Sequence, residues 1–364
     1  MSGGGGPRLE AFGVPGLGEV LAGADLAGLL VTAIAAIGET LRDGDVIVVS
    51  SKIVSKAQGL ARAATSRDAA VEEETLRVVA ERRTPRGRTA IVASAAGPVL
   101  AAAGVDASNV APGTVLTLPR DPDAAARSLL AALRARTGAR VGVVVSDTLG
   151  RPWRQGQADA AIGAAGVAVV EDLRGGTDAY GNALEVTVRA VADELAAAAD
   201  LVKGKLTGVP VAVLRGPAGL VTQDDGPGAA ALLRPGAQDW FRFGHVEAVR
   251  AALGAPPGTP GVPLQPVDPG PAPQRLERAA AVVRAGHADT VTVEVAAVEA
   301  AAGDGARACL RVPGTDPSSL VALGMAVQRL LAAAWAEDLE ADAGPVHTGP
   351  AGAHLTVRAR SRGV

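Results

Sequence analysis

The chain of 364 residues carries 35 Lys and Arg against 38 Asp and Glu, a net charge of −3, which argues against a general nucleic-acid binder. Its single cysteine, Cys309, excludes an intramolecular disulfide and any multi-cysteine zinc site. With 48% hydrophobic but only 2% aromatic residues, Ala, Val and Leu must fill the core, and the length allows two or three domains.

Phe12–Glu19 is a loop punctuated by Gly and Pro, after which Asp25 is placed to cap a helix from Leu26 to about Leu41. Gly44 turns the chain into Val46–Val49, a buried-strand pattern ending in Ser50-Ser51-Lys52, with Lys56 and Gly59 close behind. Hydroxyls and lysines at a strand end suit phosphate, although the glycine spacing of a P-loop is absent; a solvated strand end is the alternative. Residues 65–90 are charged and predict an exposed helix leading to a basic turn. A short strand at Thr89–Ala93 and a helical turn at Pro98–Ala103 follow. Gly104–Val110 is a compact run in which Asp106 and Asn109 are either turn formers or ligands for a metal and a nucleotide. Asp121-Pro122-Asp123 starts a helix to about Arg136, ended by Gly138.

The central stretch is Val141–Gly156. Four valines and a glycine predict a buried strand that ends in Ser146-Asp147-Thr148, before Gly150 and Pro152 break the pattern. A carboxylate beside a hydroxyl at a strand end suits a hard divalent cation, and Arg151 and Arg154 match phosphate or carboxylate. The other reading has Asp147 merely capping the next turn. Ala158–Gly166 is small and close-packing, and Val167–Val170 predicts a strand. Arg174–Asn182 is a polar loop holding the only tyrosine, Tyr180. Val188–Val202 predicts an amphipathic helix whose C-terminal dipole is met by Lys203 and Lys205, and Val209–Leu214 another strand.

Helix–strand alternation through the first 140 residues predicts a mixed α/β fold. Residues 256–273 hold eight of the 24 prolines, which predicts a semi-rigid linker over 251–273 between a first domain, 1–250, and a small C-terminal α+β unit, 274–364. In that unit Gln274–Arg284 and Ser318–Ala334 have helical patterns, and Thr290–Ala296, Cys309–Val312 and His354–Arg360 have strand patterns. Charged residues or glycine interrupt every apolar run, and the N-terminal MSGGGGPRLE is unlike a signal peptide, so a cytoplasmic protein without membrane attachment is expected. All four histidines lie beyond residue 244, so chemistry in the first two-thirds falls to carboxylates, hydroxyls, Lys, Arg or a metal ion.

Seven stretches in this order and spacing resemble the coenzyme F420-0:L-glutamate ligase family over roughly residues 10–245. They are PGLGEV (Pro15–Val20), SSKIVSKAQG (Ser50–Gly59), AAAGVDASNV (Ala101–Val110), SDTLGRPWRQGQ (Ser146–Gln157), DAYGNALEVT (Asp178–Thr187), VADELAAAADLVKGK (Val191–Lys205) and RG (Arg215-Gly216). The resemblance implies GTP-dependent addition of L-glutamate to coenzyme F420-0, with Mg²⁺ or Mn²⁺ and K⁺, on an α/β fold that forms a homodimer. It implies that Leu17, Gly18, Glu19 and Val20 line the nucleotide, that Ser51 and Lys56 meet its phosphates, that Asn109 bonds GTP, and that Asp106, Asp147 and Thr148 hold the divalent ion. Asp106, Asp147 and Lys56 would be the catalytic set.

Two departures stand out. Lys203-Gly204-Lys205 is basic where archaeal members carry an acidic residue, a version that actinobacterial-type members share, and Ala93–Gly97 lacks the acidic and basic residues typical of relatives. Two alternatives stay open: a GTP- and metal-dependent ligase for another carboxylate, and, because of the altered Ala93–Gly97, a non-catalytic deazaflavin- or nucleotide-binding homologue. Longer relatives carry a flavin-binding nitroreductase-like domain. Residues 274–364 resemble it faintly, notably at Leu320–Ala334, as a degenerate piece with no legible flavin-phosphate segment.

Overall fold

Strands whose side chains are apolar at every position must be covered on both faces, and that requirement organises the first part of the molecule. In the computed structural model, which describes residues 8–362 apart from 65, 109–110, 217, 288–289 and 301–302, five strands form one sheet. Their order across the sheet is Glu10–Gly13, Val211–Arg215, Val46–Ser50, Gly142–Gly150 and Gln157–Ala165. Val46–Ser50 and Gly142–Gly150 run parallel, with Ser50 beside Ser146; the other neighbours are antiparallel. Ile47, Val49, Val143, Val145, Val211 and Val213 pack on one face with Leu30 and Ile34 of helix Leu26–Ala36 and Leu129 and Leu133 of helix Pro122–Thr137. Val46, Val48, Val144, Ala212 and Leu214 pack on the other face under helix Val191–Lys203. With eight α-helices among the described residues and several sheets, the fold is mixed α and β.

The caps act as expected from the sequence. Asp25 accepts from Gly28 N and Asp121 from Ala124 N, and Gly138 ends its helix at φ 68°. Gly163 is required by packing, since a Cβ there would lie 2.3 Å from Pro122 O. Arg215, at the end of its strand, bonds buried Asp45 through two nitrogens at 3.0 Å and Glu39 at 2.9 Å.

Several local expectations are corrected. The first helix ends at Ala36, before Gly38 turns the chain at φ 78°. In the charged stretch only Arg67–Glu73 is helical; Thr75–Thr84 and Gly87–Ser94 are strands joined by a short turn at Pro85-Arg86. Val78-Val79 and the bond from Arg88 to Glu81 at 2.9 Å favour the strand pair. Pro98–Ala103 is not a helical turn throughout: Val99–Ala101 is a strand and Ala102–Gly104 a 3₁₀ turn. The central strand does not end within Ser146-Asp147-Thr148 but runs to Gly150, because Gln157–Ala165 returns beside it and satisfies its backbone. Val167–Val170 is instead irregular, apart from a bridge from Val167 to Val221.

The chain divides into two compact units, residues 1–77 with 92–238, and residues 78–91 with 239–364. In the second, Thr292–Ala300, Gly303–Val312, Gly352–Ser361 and Leu339–Ala343 lie side by side in an antiparallel sheet, with His347–Gly349 also paired to Gly352–Ser361. Leu310, Leu355 and Val357 pack with Leu276 and Val283 of helix Ala272–His287 and Leu323 and Leu330 of helix Pro317–Ala336. Helix Pro317–Ala336 is long and apolar enough to cross a membrane by length and composition alone, which the reading of interrupted runs missed. Six of its residues, from Leu323 to Ala334, are buried in this core. Residues of the proline-rich stretch join the same unit: Arg83 N donates to Gln265 O at 2.8 Å and Val267 N to Arg83 O at 3.0 Å.

Candidate active site

The ends of Val46–Ser50 and Gly142–Gly150 open into a cleft of ≈ 800 Å³ within the first unit. Side chains alternate along a strand, so this edge supplies two chemically different walls. On the face of Val143 and Val145 stands Asp147, which accepts a hydrogen bond from Ser51. Ser51 opens helix Ser51–Ala57, which carries Lys52 and Lys56 into the cleft. Lys52 Nζ lies 2.7 Å from Asp106 Oδ2 and donates to Ser108 Oγ at 2.8 Å. Lys56 Nζ meets Glu19 Oε1 at 2.6 Å; the lysine side chain is 12% exposed and the glutamate 69%. Asp106 is braced by a backbone bridge to Leu116 and by Ser108 N at 2.7 Å.

On the face of Val144 stand Ser146 and Thr148, and both hydroxyls donate to Asp159, at 2.9 and 2.8 Å. Lys203 Nζ, buried at the end of its helix, lies 2.6 Å from Asp159 Oδ2, and Lys205 Nζ lies 3.2 Å from Oδ1. Lys205 also bonds Thr148 and lies 3.5 Å from Asp200. Lys203 is therefore a buried partner of a carboxylate, a role beyond that of a cation solvated at a helix end.

Burial pushes the Asp147 carboxyl up to about 6; the neighbouring charges of Asp159 and Asp106 push the same way, against hydrogen bonds from Thr148 N and Ser51. Burial also acts to raise Asp106 and Asp159, yet both are held below the usual carboxylate range, Asp106 by Lys52 and Ser108 and Asp159 by Lys203 and the two hydroxyls. The cleft thus holds one carboxylate poorly compensated by protein cations, flanked by hydroxyls and two further carboxylates. Hard oxygen donors around a carboxylate that is held by a hydroxyl and a backbone amide suit Mg²⁺ or Mn²⁺.

Gly18, Glu19, Val20, Ser51, Lys56, Asp106, Asp147 and Thr148 all line this cleft. Leu17 lies beside it in the chain but is buried in the core. Asn109 falls outside the described residues. Arg151 and Arg154 sit in the exposed hairpin loop after Gly150, where Arg151 donates to Gln155 O at 3.2 Å. Tyr180 is exposed in a loop tied by Asp178, which accepts from Tyr180 N and Asn182 N at 2.8 Å. Sequence reasoning missed Asp159 altogether; its one signal was a lone carboxylate in a run of Ala and Gly.

The family described as F420-0:Gamma-glutamyl ligase matches residues 16–216. The chain is 40% identical over 252 residues to the coenzyme F420:L-glutamate ligase of Methanothermobacter thermautotrophicus, covering 64% of this chain and 99% of that protein. It is 39% identical over 259 residues to the enzyme of the same name from Methanopyrus kandleri, covering 66% of this chain and 100% of that protein. It is 41% identical over 228 residues to the one from Halobacterium salinarum, covering 57% and 87%. Every residue lining the cleft, from Gly18 to Pro210, falls inside the matched region. The chain belongs to the F420-0:gamma-glutamyl ligase family.

Proposed function

We propose that the chain forms the amide between the carboxylate of coenzyme F420-0 and the amine of L-glutamate, as an enzyme of coenzyme F420 biosynthesis, and that GTP drives the step through an acyl phosphate. The relatives' shared name supports the ligation. The observation that supports the nucleotide is the cleft itself: Lys52 and Lys56 line it together with Ser51, Asp106 and the half-buried Asp147.

A carboxylate is a poor electrophile. In the proposed sequence its oxygen attacks the γ-phosphorus of GTP and GDP leaves; the glutamate nitrogen then attacks the acyl carbon, phosphate departs, and the nitrogen loses a proton. Phosphoryl transfer asks the protein mainly for positioning and charge neutralisation, which lysines and carboxylate-held cations supply without histidine. Asp106, Asp147 and Thr148 would hold Mg²⁺ or Mn²⁺, whose bound charge would offset that of the phosphates. Lys56 and Ser51 would meet phosphate oxygens, and the Gly18–Val20 loop would border the nucleotide. K⁺ is proposed alongside on the family resemblance alone. A homodimer is proposed as well, supported by Tyr180, Val186, Leu201 and Leu206, which are 92%, 86%, 87% and 100% exposed.

Incubation with GTP, Mn²⁺, L-glutamate and F420-0, followed by mass spectrometry and GDP quantification, tests this reading. A product heavier by one glutamyl group, with stoichiometric GDP, is expected. GDP release without that product would favour a ligase for another carboxylate, and nucleotide binding without turnover would favour a binding protein.

A further inference from the structure

Asp159 stands opposite Thr148 because of a β-bulge. Val143 pairs with Ala165 and Val145 with Gly163, but Ser146 pairs with Ala161, so one residue of the returning strand is left over between them. Without that extra residue Asp159 would face Leu149. Bulges of this kind re-aim side chains next to functional sites.

The carboxylate so placed is 5% exposed and accepts from four donors: Ser146 and Lys203 on Oδ2, Thr148 and Lys205 on Oδ1. An ionised carboxylate only accepts, and a hydroxyl has a single proton. Thr148 must therefore spend its proton on Asp159, leaving its oxygen to act only as an acceptor. Ser146 is fixed in the same way, accepting from Lys203 at 2.8 Å. Thr148 Oγ1 accepts from Lys205, a half-exposed side chain that an incoming cation could replace.

We propose that Asp159 is a positioning residue of the ligase: it holds Thr148 as an acceptor toward the cleft, and buried Lys203, 2.6 Å from Oδ2, keeps Asp159 aligned for that task. This rests on the reading that the cleft takes a divalent cation.

The test compares wild type with Asp159→Asn and with the double variant Asp159→Asn/Lys203→Gln. The single variant leaves Lys203 buried without a counter-charge and risks unfolding; the double variant removes both charges and keeps a donor toward Ser146. Two readouts are taken: the Mn²⁺-induced shift in Tm without substrates, and the Mn²⁺ concentration for half-maximal ligation beside the KM for glutamate. For the folded double variant the Mn²⁺ requirement is expected to rise about 10-fold or more, with a smaller Tm shift and a glutamate KM within about 2-fold of wild type. Asp159→Glu is expected to recover part of the Mn²⁺ response. A folded double variant with wild-type Mn²⁺ response overturns the positioning role alone. A wild-type protein with no response to Mn²⁺ overturns the cation-binding reading, and this inference with it.

Discussion

The Lys52 ammonium lies 2.7 Å from Asp106 Oδ2, so a cation suited to phosphate and a carboxylate suited to metal neutralise each other. A divalent ion taking Asp106 would free Lys52, and an anion taking Lys52 would free Asp106. Each ligand removes the cost that the other would face. Mn²⁺ is therefore expected to bind at least about 5-fold more tightly with GDP present, and GDP by the same factor with Mn²⁺ present, as linkage requires. Calorimetric titrations of each ligand with and without the other measure this. Lys52→Met should weaken GDP and reduce the coupling; an unchanged coupling factor would remove the exchange.

Asp147 carries an opposing pair of effects. Its carboxyl is pushed up to about 6 in the folded chain from an ordinary value of 3.8. Between these values the folded state keeps a proton that the unfolded state has lost, so stability of the metal-free protein falls as pH rises through that window, and the loss persists at neutral pH. Asp147→Asn is expected to stabilise the metal-free fold by about 1–3 kcal/mol. The same change should lower turnover by more than about 100-fold, beyond the usual loss from residues behind a metal ligand. Chemical denaturation and a ligation assay on the same preparation check both; near-normal turnover would take Asp147 out of the site.

Lys56 is tied to Glu19 at 2.6 Å, and that glutamate is largely exposed. Lys56→Met is expected to raise the GTP KM by about 10-fold, a loss within the range for a charge-assisted hydrogen bond, and to leave the glutamate KM nearly unchanged. Glu19→Gln, which removes an internal competitor for the ammonium, should move the GTP KM far less. Steady-state kinetics in both substrates separate these outcomes. Equal effects of Lys56→Met on both substrates would assign Lys56 to general structure.

Arg215, part of the RG pair, holds the fold. It bonds Asp45, which is 1% exposed, through two nitrogens, and its guanidinium lies 5.2 Å from the Phe12 ring centroid. Arg215→Ala would leave a buried carboxylate without its cation, a loss of about 3–5 kcal/mol. Denaturant unfolding of the variant measures it, and a loss below about 1 kcal/mol would show that Asp45 finds another partner.

A chain cut near residue 250 is expected to be less stable than its sequence suggests. Residues 78–91 belong with 239–364: Glu247 Oε1 accepts from Arg82 at 2.6 Å and Glu81 N at 3.0 Å, while Arg83 bonds Gln265 through its backbone. Arg250 and Arg278 also both bond buried Glu337, at 2.8 and 2.6 Å. Removing 251–364 takes Gln265 and Val267 from Arg83 and Glu337 from Arg250. A lower Tm and a tendency to associate are expected by calorimetry and light scattering; a monodisperse truncation with the full-length Tm would show the hairpin to be self-sufficient.

The positions of Ser51, Lys56, Asp106 and Asp147 were legible in the sequence because their signals are local. Apolar runs mark buried strands, polar residues mark where such strands reach an edge, and Asp25, Asp121 and Gly138 mark helix ends through bonds made within a few residues. Gathering Ser51, Lys56 and Asp147 into one cleft needed Val46–Ser50 and Gly142–Gly150 to lie side by side, whereas Asp106 is held there through its bridge to Leu116. What the tertiary structure alone decided depends on pairing between distant segments. The charged run after Glu74 became strands because Gly87–Ser94 folds back on it, and Ser146–Thr148 continued as strand because Gln157–Ala165 satisfied its backbone. Asp159 met Thr148 through one extra residue in that returning strand, and Lys203 was buried against it from a helix 44 residues further along the chain. A one-residue change of register moves every following side chain to the other face, and composition carries no record of register.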